Sequence, residues 1–264
     1  MSKAPIYVVV VIYNKKCSES TTCQCLQGLS DIHVIIVDNS TNDYKNKEFA
    51  QSKQWIYINM NGNQGLSKAY NCAIEAIEDQ NALICLFDDD SEVDNEYFRC
   101  LEEKAEQDPV AKVFLPLVYD DEGLLSPSII EDLNVLKAGD LSQINSSNIT
   151  GINSGMAIRR RVFNNYKYNE AYFLDYIDHA FLRDMKLLNN KISVMDVKMY
   201  HKILFENTDA SVESVIKRMK IFKKDFRKFC GRTLKGFVFY FRHMYNLKKT
   251  LYARHNKCKK IFFA

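Results

Sequence analysis

Three apolar runs constrain the fold of this chain more than any other feature: Ile6–Ile12, residues 33–37 and residues 82–87. None alternates with polar residues, which suits strands buried on both faces, and segments with helical spacing lie between them. That order predicts a mostly parallel central sheet covered by helices on both sides. Polar residues follow each run in the same way: Tyr13 and Asn14 after the first, Asp38, Asn39 and Ser40 after the second, Asp88, Asp89 and Asp90 after the third. In a parallel sheet all three groups reach the carboxyl edge, where open α/β folds bind ligands.

Further along, residues 55–58 read as a short strand, followed by a polar turn with Asn61, Gly62, Asn63 and Gly65. Leu66, Ala69, Tyr70, Ala73, Ile74 and Ile77 then recur at helical spacing. A Gly/Asn loop opening into a helix can offer backbone N–H groups to an anion, although it also serves as an ordinary N-cap turn. Residues 111–118 predict another strand. The polar stretch 126–150 has weak periodicity and reads as a long excursion with little regular structure, of the kind used as a lid or acceptor loop. The chain returns to a short strand at residues 156–158, and a last strand is expected over 192–197.

With 264 residues, 47% of them hydrophobic, and only four prolines, the chain can bury one sizeable α/β domain. The first apolar run is too short to span a bilayer and lacks a small-residue cleavage site, so it reads as a strand rather than a signal peptide. Eight cysteines include no paired C-x2-C sets, which predicts reduced thiols and no zinc site. Charge is divided by region. Residues 211–264 hold 16 Lys/Arg against Glu213 and Asp225, a net of +14, and the remainder has a net of −11.

Three adjacent carboxylates repel one another, and a divalent cation with oxygen ligands relieves that repulsion. Asp88 and Asp90 are therefore candidate ligands, against the plainer reading of an acidic turn. If a helix starts near Asp175, then Asp175 and Asp178 share one face, and either can act as a general base; both also suit a helix N-terminus. His201, after the last strand, is a candidate ligand to the same cation or a structural histidine. From Val212, the apolar stripe Val215, Ile216, Met219, Phe222, Phe226 and Phe229 lies among lysines and arginines. Such a basic amphipathic segment suits an anionic membrane surface in preference to packing on the body or on a partner subunit. No base-reading module accompanies it, so nucleic acid is not an expected partner.

Five blocks carry a resemblance: residues 10–14, 36–40, 61–65 with Asn71, 88–91 and 173–178. In order and spacing they resemble the family 2 glycosyltransferases with a GT-A fold, closest to the rhamnosyltransferase-like branch, over residues 6 to 202. The resemblance implies a GT-A catalytic domain at residues 1–210, with a nucleotide-sugar half over about 1–118 and an acceptor half over about 119–210. Residues 211–264 form a basic helical extension outside it. By the same resemblance, Asp38 contacts the nucleotide base, and Tyr13, Asn14, Asn61, Asn63, Gly65, Asp88 and Asp89 line the donor. Asp88, Asp90 and His201 hold Mg2+ or Mn2+. Asp178 is the implied base, with Asp175 as its rival, because His179, Ala180 and Arg183 are shifted from the family's usual pattern.

The implied reaction is an inverting transfer of rhamnose or a hexose from a dTDP- or UDP-sugar. The acceptor would be a lipid-linked saccharide, at the cytoplasmic face of the cell membrane, in surface polysaccharide assembly; a homo-oligomer is compatible with this. Two other readings stand beside it, a sugar-phosphate nucleotidyltransferase and a non-catalytic nucleotide-sugar-binding scaffold subunit.

Overall fold

The computed structural model describes residues 3–200, 211–255 and 258–263. The first half holds β1 (Ile6–Ile12), α1 (Thr21–Leu26), β2 (Ile32–Asp38), α2 (Asn46–Ser52), β3 (Ile56–Asn59), α3 (Leu66–Glu75), β4 (Leu83–Phe87) and α4 (Asn95–Gln107). Then follow β5 (Val113–Asp120), β6 (Gly123–Ser126), β7 (Ser128–Glu131), β8 (Asn134–Leu136), β9 (Ile149–Thr150), β10 (Met156–Arg159), α5 (Ile177–Leu187) and β11 (Ile192–Tyr200). The C-terminal part is helical: α6 (Val212–Cys230), α7 (Leu234–Arg254) and α8 (Lys259–Phe263).

The main sheet runs β11-β5-β10-β4-β1-β2-β3, with β6 paired to β5. β1, β2, β3 and β4 are mutually parallel, β5 is parallel to β11, and β10 runs against both of its neighbours. The register aligns Ile12 with Asp38 and Asp38 with Asn59, while Val10 faces Phe87. The polar residues after β1, β2 and β4 therefore emerge side by side at one edge, as the sequence predicts.

Burial explains why these runs do not alternate. Val9, Ile35, Val37, Ile84 and Leu86 pack on one face with α3, α5 and α6. Val8, Val10, Ile36, Cys85 and Phe87 pack on the other with α1 and α4. Successive side chains still point to opposite faces, but both faces are core.

Three expectations are corrected. The stretch 126–150 contains a separate three-stranded sheet, β8-β7-β9. Its strands are only two to four residues long, too short to show a period, and pairing rather than propensity holds them. α5 begins at Ile177, not near Asp175, because Tyr176 takes a left-handed backbone at φ 61°. Asp175 and Asp178 thus do not share a helical face. The apolar stripe of α6 does not face outward either: Met219, Phe226 and Phe229 join the core beside Tyr172, Ile177 and Phe181. An apolar stripe at helical spacing fits a protein core as well as a lipid surface, and here the core takes it.

Candidate active site

The Asp88-Asp89-Asp90 turn leaves β4 at the carboxyl edge and is fixed there by the start of α1. Thr22 Oγ1 donates to the Asp88 carbonyl at 2.6 Å and accepts from Ser91 N at 2.9 Å, and Ser20 Oγ donates to the Asp89 carbonyl at 2.6 Å. Ser91 Oγ meets Ser154 Oγ at 2.6 Å, just before β10. Four acceptor-rich residues are thereby held with little freedom to separate.

Little positive charge answers them. Lys15 Nζ lies 3.1 Å from Asp89 Oδ2. Burial pushes the Asp88 carboxyl up to about 7, and the negative charges of Asp90, Asp178 and Asp89 add to the shift. Asp90 Oδ1 is buried and has no hydrogen-bond partner among the described residues. Ser67 Oγ, at the start of α3, and Asn153 Oδ1, before β10, share that condition. Buried polar atoms normally find partners, so a set of unpartnered ones bordering the same edge marks space shaped for a polar ligand. An orphaned carboxylate oxygen next to a carboxyl that resists ionisation fits a cation in particular. Among the described residues no three His, Cys, Asp or Glu side chains come together around a common point. His201, the expected third ligand, lies outside the described residues.

The ends of β1, β2 and β3 are laced to the Asn61–Gly65 loop. Asn14 Oδ1 accepts from the Thr41 backbone, Asn14 N donates to Ser40 Oγ, and Tyr13 stays half exposed beside them. Asn39 Nδ2 donates to Asn63 Oδ1, which also accepts from Gly65 N. Asn61 N is turned back onto Asn59 Oδ1. Asp38 is almost fully buried, and its oxygens accept from Ser40 N, Asn46 Nδ2 and the Tyr57 hydroxyl, each at 3.0 Å. Beside that carboxylate, burial and the Asp38 charge hold the Tyr57 phenol above its usual range.

The loop and the second acidic segment touch directly. Leu66 N donates to the Phe173 carbonyl at 2.6 Å. A Cβ on Gly65 would stand 2.8 Å from Phe173 Cδ2 and 2.9 Å from its carbonyl oxygen, on a backbone with φ 88°. Only glycine meets both conditions. Residues 173–175 are in turn held from below by Asp225 of α6, which is wholly buried. Its carboxylate accepts from Phe173 N, Leu174 N and Asp175 N at 2.8–3.1 Å. Arg218, two turns earlier on the same face of α6, grips both oxygens of Asp175. Tyr176 then stacks on Phe226 and Phe229, with ring centroids at 5.1 and 4.6 Å.

This clamp separates the two candidate bases. Asp175 is committed to Arg218; its carboxyl is raised by burial, which the arginine opposes. Asp178, in the first turn of α5, accepts only from His179 N among the described bonds. His179 Nδ1 is itself 2.8 Å from Thr150 Oγ1. The charge of Asp178 is thus felt at the Asp88-Asp89-Asp90 turn without the four carboxylates converging on one point, and Asp38, Asn14, Asn63 and Gly65 lie on the adjoining stretch of the edge.

A family model described as glycosyl transferase family 2 matches residues 7–167. The chain belongs to that family. It is also 28% identical over 212 residues to the dTDP-rhamnosyl transferase RfbF of Shigella flexneri, covering 75% of this chain and 69% of that one. Two crystal structures of S. aureus TarS share its fold. For residues 1–349 of TarS the TM-score is 0.55 at 16% identity, covering 85% of this chain and 64% of that one. For the longer TarS chain the TM-score is 0.54 at 18% identity, with coverage of 85% and 39%.

As a family 2 glycosyltransferase with a GT-A architecture, the protein carries site-forming residues that sequence reasoning did not find. Ser20 and Thr22 look like ordinary helix-start residues until their bonds to the aspartate turn are seen. Asn46 and Tyr57 gave no signal at all. Asp225 and Arg218 belong to the basic C-terminal segment, which the sequence sets apart from the catalytic domain.

Proposed function

We propose that this family 2 glycosyltransferase moves rhamnose or another hexose from a nucleotide-diphosphate donor to a lipid-linked oligosaccharide in bacterial surface polysaccharide assembly, O-antigen or capsule. The kinship with a dTDP-rhamnosyl transferase supports a dTDP-sugar donor, with a UDP-sugar as the second choice. One observation carries the reading. The Asp88-Asp89-Asp90 turn leaves β4 at the carboxyl edge, pinned there by Ser20 and Thr22, with Asp90 Oδ1 buried and unpartnered among the described residues, which suits a metal-bound diphosphate.

In this reading the Asn61–Gly65 loop, Asn14 and Tyr13 line the donor, with Asp89 near it, and Asp38 meets the nucleotide base on a carboxylate pre-oriented by Asn46 and Tyr57. Asp88 and Asp90 would hold Mg2+ or Mn2+, with His201 as a further ligand. The chemistry such an ion supplies is neutralisation of charge on the leaving diphosphate. The acceptor hydroxyl gives its proton to Asp178 as its oxygen bonds to the anomeric carbon, on the face opposite the nucleotide. The bond from that carbon to the diphosphate oxygen breaks, the nucleoside diphosphate departs with the electron pair, and configuration inverts. Asp175 is a poorer base because Arg218 occupies both of its oxygens. The basic C-terminal segment keeps the enzyme at the inner face of the cell membrane, where lipid-linked acceptors lie. Among the described residues no helix is long and apolar enough to cross a membrane.

Thermal-shift measurements with dTDP, UDP, GDP and CDP, each with and without Mn2+, test the donor reading. One nucleotide raising the melting temperature only with the ion, and not in Asp90→Ala, supports it. No response to any nucleotide contradicts it.

A further inference from the structure

α7 has two unlike faces. Gly236, Tyr240 and Met244 are buried against the rest of the protein. Leu234, Phe237, Val238 and Phe241 are exposed by 81%, 47%, 58% and 53%. These four recur at i, i+3, i+4 and i+7, so they form one stripe on the outer face of the helix. Phe237 and Phe241 pack with tilted rings, centroids 4.5 Å apart. Large apolar side chains concentrated in one contiguous stripe mark an interaction surface, whereas isolated ones do not.

Beside the stripe lies a cavity of about 580 Å³ between the 169–172 loop, α5 and α6. Arg183, Lys224, Arg227, Lys228 and Arg232 line it, and among the described residues no carboxylate does. Asp225, between Lys224 and Phe226 in sequence, spends its charge inward on the backbone of residues 173–175. Arg227 joins the two features: it lines the cavity, and its guanidinium sits 5.6 Å from the Phe237 ring centre and 5.5 Å from that of Tyr240. Arg242 is exposed on α7 as well, while Lys235 is paired with Asp132 at 2.6 Å.

We propose that the outer stripe of α7 and the cationic cavity next to it form one docking face for an anionic phospholipid surface, with the stripe among the acyl chains and the cavity on lipid phosphates. The pairing of an aromatic stripe with a basic rim is the chemistry of a helix lying in the headgroup region. Charge selects this occupant over a second copy of the chain, because a symmetric contact would set one +14 segment against another. The inference rests on the membrane placement proposed above, and it names the surface responsible: the α7 stripe, since that of α6 is buried in the core.

The test is co-sedimentation with vesicles of phosphatidylcholine alone and of phosphatidylcholine with phosphatidylglycerol, in low and high salt. The full chain is expected to bind the mixed vesicles in low salt and to bind pure phosphatidylcholine about tenfold more weakly, with salt reducing the difference. Phe237→Ser/Phe241→Ser and Lys224→Gln/Lys228→Gln should each weaken binding about tenfold while keeping the wild-type melting temperature, since all four side chains are exposed. As a second readout, Phe241→Trp should shift its emission to the blue on adding mixed vesicles. Binding that all variants retain would leave the membrane placement standing and overturn this face. Absence of binding by the wild type overturns both. A dimer in sedimentation equilibrium that Phe237→Ser/Phe241→Ser dissociates would assign the stripe to a second copy. Binding of inorganic pyrophosphate that depends on Lys224 and Lys228, without vesicle binding, would assign the cavity to a soluble anion. Nucleotide release from the donor is measured separately, so failure of the glycosyltransfer reading leaves the vesicle result interpretable.

Discussion

Replacing Asp225 with alanine should be as destabilising as emptying a core position of α6. The carboxylate is wholly buried and accepts from three successive backbone N–H groups, Phe173, Leu174 and Asp175. Each buried donor left without a partner costs about 1–3 kcal/mol. The 173–175 segment is only partly buried, so water satisfies some of them, and the expected loss is about 3–5 kcal/mol in total. That is a large part of the roughly 5–15 kcal/mol that holds a domain folded. Asp225→Asn keeps one acceptor oxygen but loses the charge, and should cost about 1–2 kcal/mol. Urea denaturation of the three proteins reads this directly, as a lower midpoint with an unchanged slope. The loop that Asp225 supports also contacts Gly65 and carries Asp175, so nucleotide affinity should fall in Asp225→Ala well before the protein unfolds. A loss below about 1 kcal/mol for the alanine variant would refute the reasoning, because it would mean that the three N–H groups have other partners.

Other outcomes follow from the same geometry. Gly65→Ala should lose about 2 kcal/mol or more and most nucleotide affinity, because its Cβ would meet Phe173 at 2.8 Å on a left-handed backbone; denaturation and nucleotide titration check it. Thr22→Val removes the hydroxyl that donates to the Asp88 carbonyl and accepts from Ser91 N, and should cost about 1–3 kcal/mol and weaken any Mn2+-induced thermal shift. Asp88 has its carboxyl raised from the usual 3.8 to about 7 in the folded protein. The folded state then binds more protons than the unfolded one between those values, so stability in EDTA should fall as pH rises through that window and level off above it. Melting curves of wild type and Asp88→Asn, which should flatten the slope, test this; Mn2+ should stabilise the wild type more as pH rises.

Much of the site was legible because its signals are local. An apolar run ending in Asp38, or in Asp88 to Asp90, states both the strand and the edge at which it ends, and parallel pairing brings those ends together. Gly65 was legible as part of a polar turn, but its contact with Phe173, more than 100 positions away, was not. The helix starts later than the sequence suggests because nothing around Asp175 announces the left-handed Tyr176, which answers to Phe226, Phe229 and Asp225 on a distant helix. Asp225 itself, a lone acid in a lysine-rich helix, reads as a solvated residue; only burial reveals its task. The stripe of α6 reads equally as lipid-facing or core-facing, since periodicity gives a face and not its partner. The strands β7, β8 and β9 are too short to carry a pattern of their own.

Nucleotide release from dTDP-rhamnose by the purified protein, with Mn2+ present, tests the central claim most directly when run beside Asp90→Ala and Asp178→Asn. The account predicts that the wild type releases dTDP, that Asp90→Ala does not, and that Asp178→Asn binds the nucleotide normally but loses transfer to an added acceptor. Release undiminished in Asp90→Ala, or none from either dTDP- or UDP-sugars in the wild type, would contradict it.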